Sequence, residues 1–376
     1  MHPSSLLSYY PTYAILDEIV ALNEYDTLNL FIDLKNVLQA AYMEHAIVNI
    51  IESTKRSRFV DTSIFSSLIS FISFHKMWSI KRGVDVNFFV FFEVGHSYYH
   101  KNIDKRYKIS REVSDLFDLS IADRDIYYST LQSNYNLIES ASKKLPSIRT
   151  VKLKNMEADF IPYYTITRNL VKQDIKTANV IYSTDHDMWQ TLDDHTFIYW
   201  RHYKKKTIIK QGKVMSRFLK QPINIPDEYL PLAMSIIGDR GDDVMGVQYV
   251  GPKTFIDIFD QLKQSIGTMD SAYDRIENGE ELFDATRSSS WNKQMKRVVR
   301  AEWQEQIISK NLRLVSFELM SRTLDTPKTT EMLERRRYIE DVIQGEKKIA
   351  SSEAMKTALE KNGVYLEEAS IDFLYV

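Results

Sequence analysis

Eight carboxylates stand where they could do chemistry together. Asp33 ends a short apolar run, Leu28 to Ile32, and Glu93 follows a second, Val86 to Phe92. Asp185 and Asp187, in YSTDHD, follow a third run, Asn179 to Tyr182. Glu157 and Asp159 lie in MEADF, and Asp239 and Asp242 stand three apart in GDRGDD. Carboxylates gathered in one crevice repel each other unless cations lie between them. Hard oxygen ligands select Mg²⁺ or Mn²⁺. Two such ions, about 4 Å apart, can stabilise the attacking and leaving oxygens of a phosphoryl displacement. With 51 Asp and Glu residues in the chain, any single acid is more often a solvated charge. The placement of the set at strand ends is what points to a metal centre.

The elements that must position these acids follow from hydrophobic pattern. The three apolar runs read as buried strands. Helical patterns lie between them, from Asn36 to about Ile51 and from Ser63 to about Ile80. Strands separated by long helices make a mostly parallel α/β sheet with helices on both faces. The carboxyl ends of such strands share one edge, where sites form. The stretch from about Glu112 to Leu145 is polar and mostly helical, without a steady apolar stripe, and is expected to stand away from the core. Glu157 to Val171 is expected to be a helix with Pro162 in its first turns, where proline is tolerated. Phe197 to Trp200 and Thr207 to Ile209 flank a basic turn, Arg201 to Lys206, and read as a hairpin. Pro226 to Ile237 and Pro252 to Leu262 read as helices, and the chain from about Ser289 is charged and helical.

Bulk composition sets further bounds. The chain has 376 residues, 44% hydrophobic and 12% aromatic, enough for one large domain plus an appendage, or two domains. A net charge of -2 gives no overall basic character, so nucleic-acid contacts would have to come from local clusters. There are no cysteines, which excludes disulfides, thiolate zinc sites and cysteine nucleophiles. The eight histidines show no zinc spacing, and His186, between two of the acids, reads as a bystander. Trp189 and Trp200 read as core. No membrane span or signal peptide is evident, so a cytoplasmic protein is expected.

Five segments in order resemble one family: LFIDLKN, FFEVGHSYYHKNIDKRYKISR, MEADFI, YSTDHDMWQTL and IIGDRGDDVMGVQYVGPKT. Together they resemble the flap endonuclease and 5′→3′ exonuclease superfamily, most closely the bacteriophage RNase H-type exonucleases. The resemblance runs from about Leu28 to Leu262, with a weaker match over Trp303 to Met320. It implies an FEN-type, PIN-like nuclease fold. The nuclease domain would span 28–220, with a helical arch at about 100–150. A helix-hairpin-helix region would span 221–325, flanked by an N-terminal extension (1–27) and a helical C-terminal extension (326–376).

The resemblance also implies roles. Asp33, Glu93, Glu157, Asp159, Asp185, Asp187, Asp239 and Asp242 take the metal positions, holding two ions of Mg²⁺ or Mn²⁺, with K⁺ at the helix-hairpin-helix loop. Lys108 and Arg111, three apart in YKISR, take the positions of a basic pair acting on the scissile phosphate. Lys101, Lys204, Lys205, Gly246, Gly251 and Lys253 are expected to contact nucleic acid. Three departures stand out: Glu93 replaces the usual Asp, Phe160 follows Asp159 where a further acid is common, and Gly241-Asp242-Asp243 replaces Ser-Asp-Asn. The activity implied is metal-dependent hydrolysis of phosphodiesters, without a covalent intermediate, on 5′-ended or branched DNA and RNA–DNA hybrids. The setting implied is replication or repair, with a single-stranded-DNA-binding protein as partner. The rivals are a catalytically impaired scaffold for branched DNA and a PIN-type ribonuclease. The helix–loop–helix after Asp242 speaks against the second.

Overall fold

Six strands form one sheet in the order β3-β2-β1-β4-β5-β6. They are β1 (Thr27–Asp33), β2 (Asp85–Val94), β3 (Ile148–Lys154), β4 (Thr177–Tyr182), β5 (Thr196–His202) and β6 (Lys205–Ile209). The first five are mutually parallel, and β6 returns antiparallel to β5 as a hairpin. The computed structural model describes residues 13–36, 51–55, 62–95, 97–110, 120–146, 148–202, 205–284, 286, 290–346, 351–361 and 375. All but the two end residues of the helix expected from Asn36 to about Ile51 lie outside these residues, as do residues 112–119 of the polar stretch.

The chain divides into two interleaved units. The first comprises residues 1–94, 118–209 and 333–376; the second comprises 95–117 and 210–332. This differs from the linear boundaries read from the sequence. Helix α1 (Tyr13–Asn23) places Leu16 and Ile19 in the first unit's core, so it is no extension. Helix α2 (Ser63–Arg82) packs beside it with Phe65, Ile69 and Ile72. Short helix α3 (Tyr98–Ile103) belongs to the second unit.

Period-two alternation sorts the strands of the first unit. Leu28, Leu30 and Ile32 of β1 share one buried cluster with Val86, Phe88 and Val90 of β2 and with Ala178 and Val180 of β4. The opposite face carries Asn29, Phe31 and Asp33. Three asparagines lie in register across that face: Asn29 pairs with Asn87 on one side and Asn179 on the other. Asn87 donates to Asn29 Oδ1 (3.3 Å), Asn29 donates to Asn179 Oδ1 (3.1 Å), and Asn179 donates to Thr196 Oγ1 of β5 (3.3 Å).

Helix α4 (Ile121–Ser142) corrects one expectation. It does not stand away from the core, because Tyr135, Ile138 and Ala141 are buried in the main cluster. Buried Asn134 and Thr130 interrupt the apolar stripe and hide it in the sequence. Asn134 is satisfied there, accepting from the Phe65 amide (3.1 Å) and donating to Thr130 O (2.9 Å). Strand β3 was not legible as a strand, since Arg149, Lys152 and Lys154 alternate with its apolar residues. It is an edge strand, and charge on an edge discourages pairing with other chains. Helix α5 (Ile161–Thr167) starts later than expected, so Glu157 and Asp159 lie in the turn before it.

The second unit is helical: α6 (Val214–Phe218), α7 (Leu230–Ile237), α8 (Pro252–Ile266), α9 (Met269–Asn278), α10 (Lys293–Glu305), α11 (Ile307–Val315) and α12 (Phe317–Asp325). A two-stranded ribbon, β7 (Gly238–Asp239) and β8 (Val244–Met245), follows α7. Buried Asn311 of α11 donates to Ser235 O and Met245 O, both at 2.8 Å, and ties the ribbon to α7. Helices α13 (Thr330–Gln344) and α14 (Ser352–Lys361) return to the first unit. There the Lys152 amide of edge strand β3 donates to Tyr338 Oη of α13 at 3.1 Å. Among the described residues no helix is long and apolar enough to cross a membrane.

His75 of α2 is fully buried, with Nδ1 2.8 Å from Phe71 O and Nε2 2.7 Å from Tyr182 Oη. A carbonyl only accepts, so Nδ1 carries the proton and Nε2 accepts from the tyrosine. Burial pushes the imidazole down to about 4. Because the folded value lies below the ordinary 6.5, the associated stability is intact above pH 6.5 and is lost as pH falls toward 4. Urea midpoints should therefore drop across that window. Tyr182→Phe, which strands Nε2, should cost about 1–2 kcal/mol at pH 7; equal midpoints for the two proteins would refute the pairing.

Candidate active site

Asp33 ends β1 and caps the turn of helix that follows. Its Oδ1 accepts from the Asn36 amide (3.0 Å), the geometry of an N-cap. Its Oδ2 accepts from Ser183 Oγ (3.0 Å), just past β4. Ser183 Oγ in turn accepts from the Asp185 amide (3.1 Å), and Asp185 Oδ1 accepts from the Asp187 amide (3.0 Å). Asn36 Oδ1 takes the Thr184 amide (2.8 Å) and hydroxyl (2.9 Å). The ends of β1 and β4 are thus stitched together by Asn36, Ser183 and Thr184, none of which the sequence reading singled out. The D-x-x-N spacing of Asp33 and Asn36, a cap signature, was the available signal.

Glu93 lies near the end of β2, where its carboxylate takes a 2.8 Å ion pair from Lys35. Glu157 is buried and Asp159 half-buried in the turn after β3. That turn is held to the end of β2, because the amide of Asn155, itself left-handed at φ 61°, donates to Val94 O (3.3 Å).

Burial pushes the Asp33 carboxyl up to about 7, and the charges of Glu93 and Asp185 reinforce this against the Asn36 amide and Ser183 hydroxyl. A carboxylate so placed favours whatever cation neutralises it. The donor set on the first unit is carboxylate oxygen throughout, which fits a hard divalent ion. Among the described residues no three Asp, Glu or His side chains are already drawn into a coordination shell. Like charges do not gather unaided, and Lys35 holds Glu93.

The second unit carries Asp239 and Asp242. Asp239 Oδ1 closes its own loop on the Gly241 amide (2.7 Å). Asp242 is buried and accepts from Tyr107 Oη (3.0 Å), with Lys108 Nζ 3.1 Å away. Two further bonds hold these segments together: the Lys108 amide to Asp242 O (3.0 Å), and the Ser110 amide to Asp243 Oδ2 (2.8 Å). Lys108 and Asp243 both take left-handed backbone, φ 53° and 57°. Strained non-glycine residues of this kind persist where the surroundings over-determine them and cluster at functional sites. Lys108 and Asp242, far apart in sequence, are thus brought into direct contact. Arg111 and Lys204 lie outside the described residues, and Lys205 is described only as the first residue of β6.

Neither Gly246 nor Gly251 takes positive φ. A Cβ on Gly246 would stand 2.1 Å from Ile237 O, so its close approach is to the protein's own backbone. A Cβ on Gly251 would meet open space, and Gly251 caps α8 in extended conformation. Lys253, in the first turn of α8, and Lys101, in the last turn of α3, are exposed and half-buried respectively. Trp189 is core, as expected.

No protein-family model matches the chain. A 5′-3′ exonuclease of Aquifex aeolicus (strain VF5) is 31% identical over 115 residues, 31% of this chain and 36% of that protein's length. Among solved structures, bacteriophage T5 5′-exonuclease with zinc bound superposes with a TM-score of 0.55 at 16% identity, covering 84% of this chain and 99% of that one. A bacteriophage T5 flap endonuclease variant in complex with DNA and metal ions gives 0.55 at 15%, covering 84% and 99%. The resemblance to the flap endonuclease and 5′→3′ exonuclease superfamily is thus carried by sequence over part of the chain and by fold over most of it.

The raised Asp33 carboxyl has a definite sign. Its folded value lies above the ordinary 3.8, so the stability it contributes is present below pH 4 and is lost as pH rises through 7. In chelator, Asp33→Asn should be more stable than the parent at pH 8 by on the order of 2–4 kcal/mol, with little difference at pH 4. Denaturant titrations at the two pH values test this; a variant less stable at pH 8 contradicts the strained-carboxylate assignment.

Proposed function

We propose that the protein is a divalent-metal-dependent 5′-nuclease that hydrolyses phosphodiesters in 5′-ended or branched DNA and in RNA–DNA hybrids. The observation that carries this is Asp33: a carboxyl forced toward protonation by burial and by the charges of Glu93 and Asp185, at the strand ends of a fold shared with a 5′-exonuclease. Asp33, Glu93, Glu157, Asp159, Asp185 and Asp187 would hold Mg²⁺ or Mn²⁺ from the first unit. The resemblance assigns Asp239 and Asp242 of the second unit to the same task. When bound, the ions supply the positive charge that stabilises a phosphoryl displacement.

The chain's own residues have separate work. Ser183 and Asn36 hold the Asp33 carboxylate in one orientation, and Ser183 also fixes the Asp185 loop. Lys108, whose ammonium faces Asp242 and lies 5.0 Å from the centre of the Tyr107 ring, would stabilise charge developing on the phosphate. Arg111 is assigned with it by resemblance. Glutamate reaches one methylene further than aspartate, and Lys35 already engages Glu93. Glu93 would therefore serve an ion only after releasing that lysine, directly or through water.

The test is a labelled 5′-flap and a labelled RNA–DNA hybrid with Mg²⁺, Mn²⁺ or EDTA. Cleavage should require a metal, and full-rate cleavage in EDTA would sink the reading. Asp185→Ala and Lys108→Ala should each slow turnover at least a hundredfold while duplex binding persists, since phosphate contacts elsewhere supply much of the affinity. Glu93→Ala should raise the Mg²⁺ concentration needed for half-maximal rate, and Glu93→Asp should keep substantial activity. An unchanged metal requirement in Glu93→Ala makes that residue structural.

A further inference from the structure

Residues 222–226 belong to no helix or strand, yet they are pinned at both ends. Ser216 Oγ of α6 donates to Ile223 O (3.0 Å) and accepts from the Ile223 amide (3.2 Å). Beyond the segment, Asp227 accepts from the amides of Gly212 (2.5 Å) and Met215 (3.0 Å). Pro222 and Pro226 bracket it, and Pro226 has extended backbone at φ −59°, ψ 140°. A proline also steers the residue before it, here Ile225, toward extended backbone. Between the pins, the backbone N–H and C=O groups of Asn224 and Ile225 have no hydrogen-bond partner among the described residues. The segment is a short, pre-set length of strand without a neighbour.

A groove of about 460 Å³ runs beside it. Ile223, Ile225 and Pro226 line it from the segment, and Ile256 and Phe259 line it from α8. Phe259 is buried and meets the ring of Tyr229 edge-on, 5.0 Å between centres, which fixes that wall. Asp260 and Lys263 stand four and seven residues beyond Ile256, on the same helical face. Both are exposed at the groove's rim. Being three apart, they could pair with each other, but among the described residues neither forms an ion pair.

These features define an occupant. Open backbone groups call for another open backbone, as in strand addition. A helix has already spent its amides internally, and nucleic acid has no amide ladder. The apolar lining calls for a bulky apolar side chain, and the rim calls for one base and one acid. Side chains two apart in a strand share a face, so the matching pattern is a central apolar residue with a base two residues to one side and an acid two to the other.

We propose that this groove binds an extended segment of a partner protein. The segment pairs backbone to backbone with Asn224 and Ile225, seats its apolar side chain between Ile225 and Phe259, and sets its base against Asp260 and its acid against Lys263. The surface uses none of the strand-end acids, so the proposal stands or falls apart from the nuclease reading.

The experiment measures binding of labelled peptides Lys-Thr-Phe-Thr-Glu and Glu-Thr-Phe-Thr-Lys to the full chain by fluorescence anisotropy, up to about 1 mM peptide. One charge order should bind. Replacing its Phe by Ser should weaken binding about tenfold or more. Methylating one alternate set of its backbone amides should weaken binding about tenfold, and methylating the other set should not, since only one set faces the protein strand. Lys263→Glu should reverse the charge preference, binding Lys-Thr-Phe-Thr-Lys about three- to tenfold better than the peptide the parent prefers. Its fold should be intact by circular dichroism, because the side chain is exposed. The proposal is overturned if neither charge order binds, if neither methylated set weakens binding, or if Lys263→Glu keeps the parental preference. Self-association of the parent in sedimentation that Lys263→Glu abolishes, with no binding of either peptide, also overturns it, because a second copy then fills the groove.

Discussion

The arrangement depends on strand register, and a buried ladder of amides fixes it. Asn87, Asn29, Asn179 and Thr196 lie side by side on β2, β1, β4 and β5 and hydrogen-bond in sequence. A slip of one residue would turn every side chain of a strand to the other face and would leave buried amides without partners, at about 1–3 kcal/mol for each group stranded. Apolar runs such as NLFI and NFFVFF could slide with little change in buried area. The amides cannot. Four residues beyond Asn29 stands Asp33, and four beyond Asn179 stands Ser183, so the ladder at one end of the sheet sets the hydrogen bond at the other.

That hydrogen bond begins a chain of small polar contacts that organises the acids. Ser183 serves two carboxylate-bearing segments at once, while Asn36 ties the turn after β1 to the turn after β4. The result is a carboxyl that burial and neighbouring charge drive far above its ordinary range. The second unit solves a related problem differently. Its buried Asp242 is satisfied by a phenol and an ammonium, and the left-handed backbone of Lys108 is fixed by hydrogen bonds from both sides of the contact. On the first unit the Asp33 carboxyl is driven toward protonation, whereas on the second the Asp242 carboxylate has a cation beside it.

Much of the sheet was legible because the strands LNLFI, VNFFVFF and NVIY are dense in apolar and aromatic residues and end on or near acids. The identity of the acidic residues at those ends was legible for the same reason. Strand β3 was hidden by its three basic residues, Arg149, Lys152 and Lys154, and the buried end of α4 by Asn134 and Thr130, whose polarity is satisfied only in the folded core. The pairing of Lys35 with Glu93 and of Lys108 with Asp242 could not be read, since each joins segments distant in the chain. Gly246 was read as allowing a tight turn and close backbone approach, and the Ile237 backbone lies where its Cβ would stand. Tyr249 sits in a left-handed backbone conformation, φ 63°, that local preference assigns to glycine, so sequence statistics give no hint of it.

The tyrosine that covers the edge of β3 comes from the far end of the chain: Lys152 and Tyr338 are 186 residues apart. On a ribosome adding roughly 5–20 residues per second, that interval lasts on the order of ten to forty seconds. From the point at which residue 209 has been made, the five other strands can already be paired while the outer edge of the sheet offers its amides to any extended segment nearby. Lys152 and Lys154, two apart on one face, then act as guards during synthesis, carrying like charge beside an edge that the helix seals only later. The charges that concealed this strand from a hydrophobic pattern are the ones that would keep nascent chains apart.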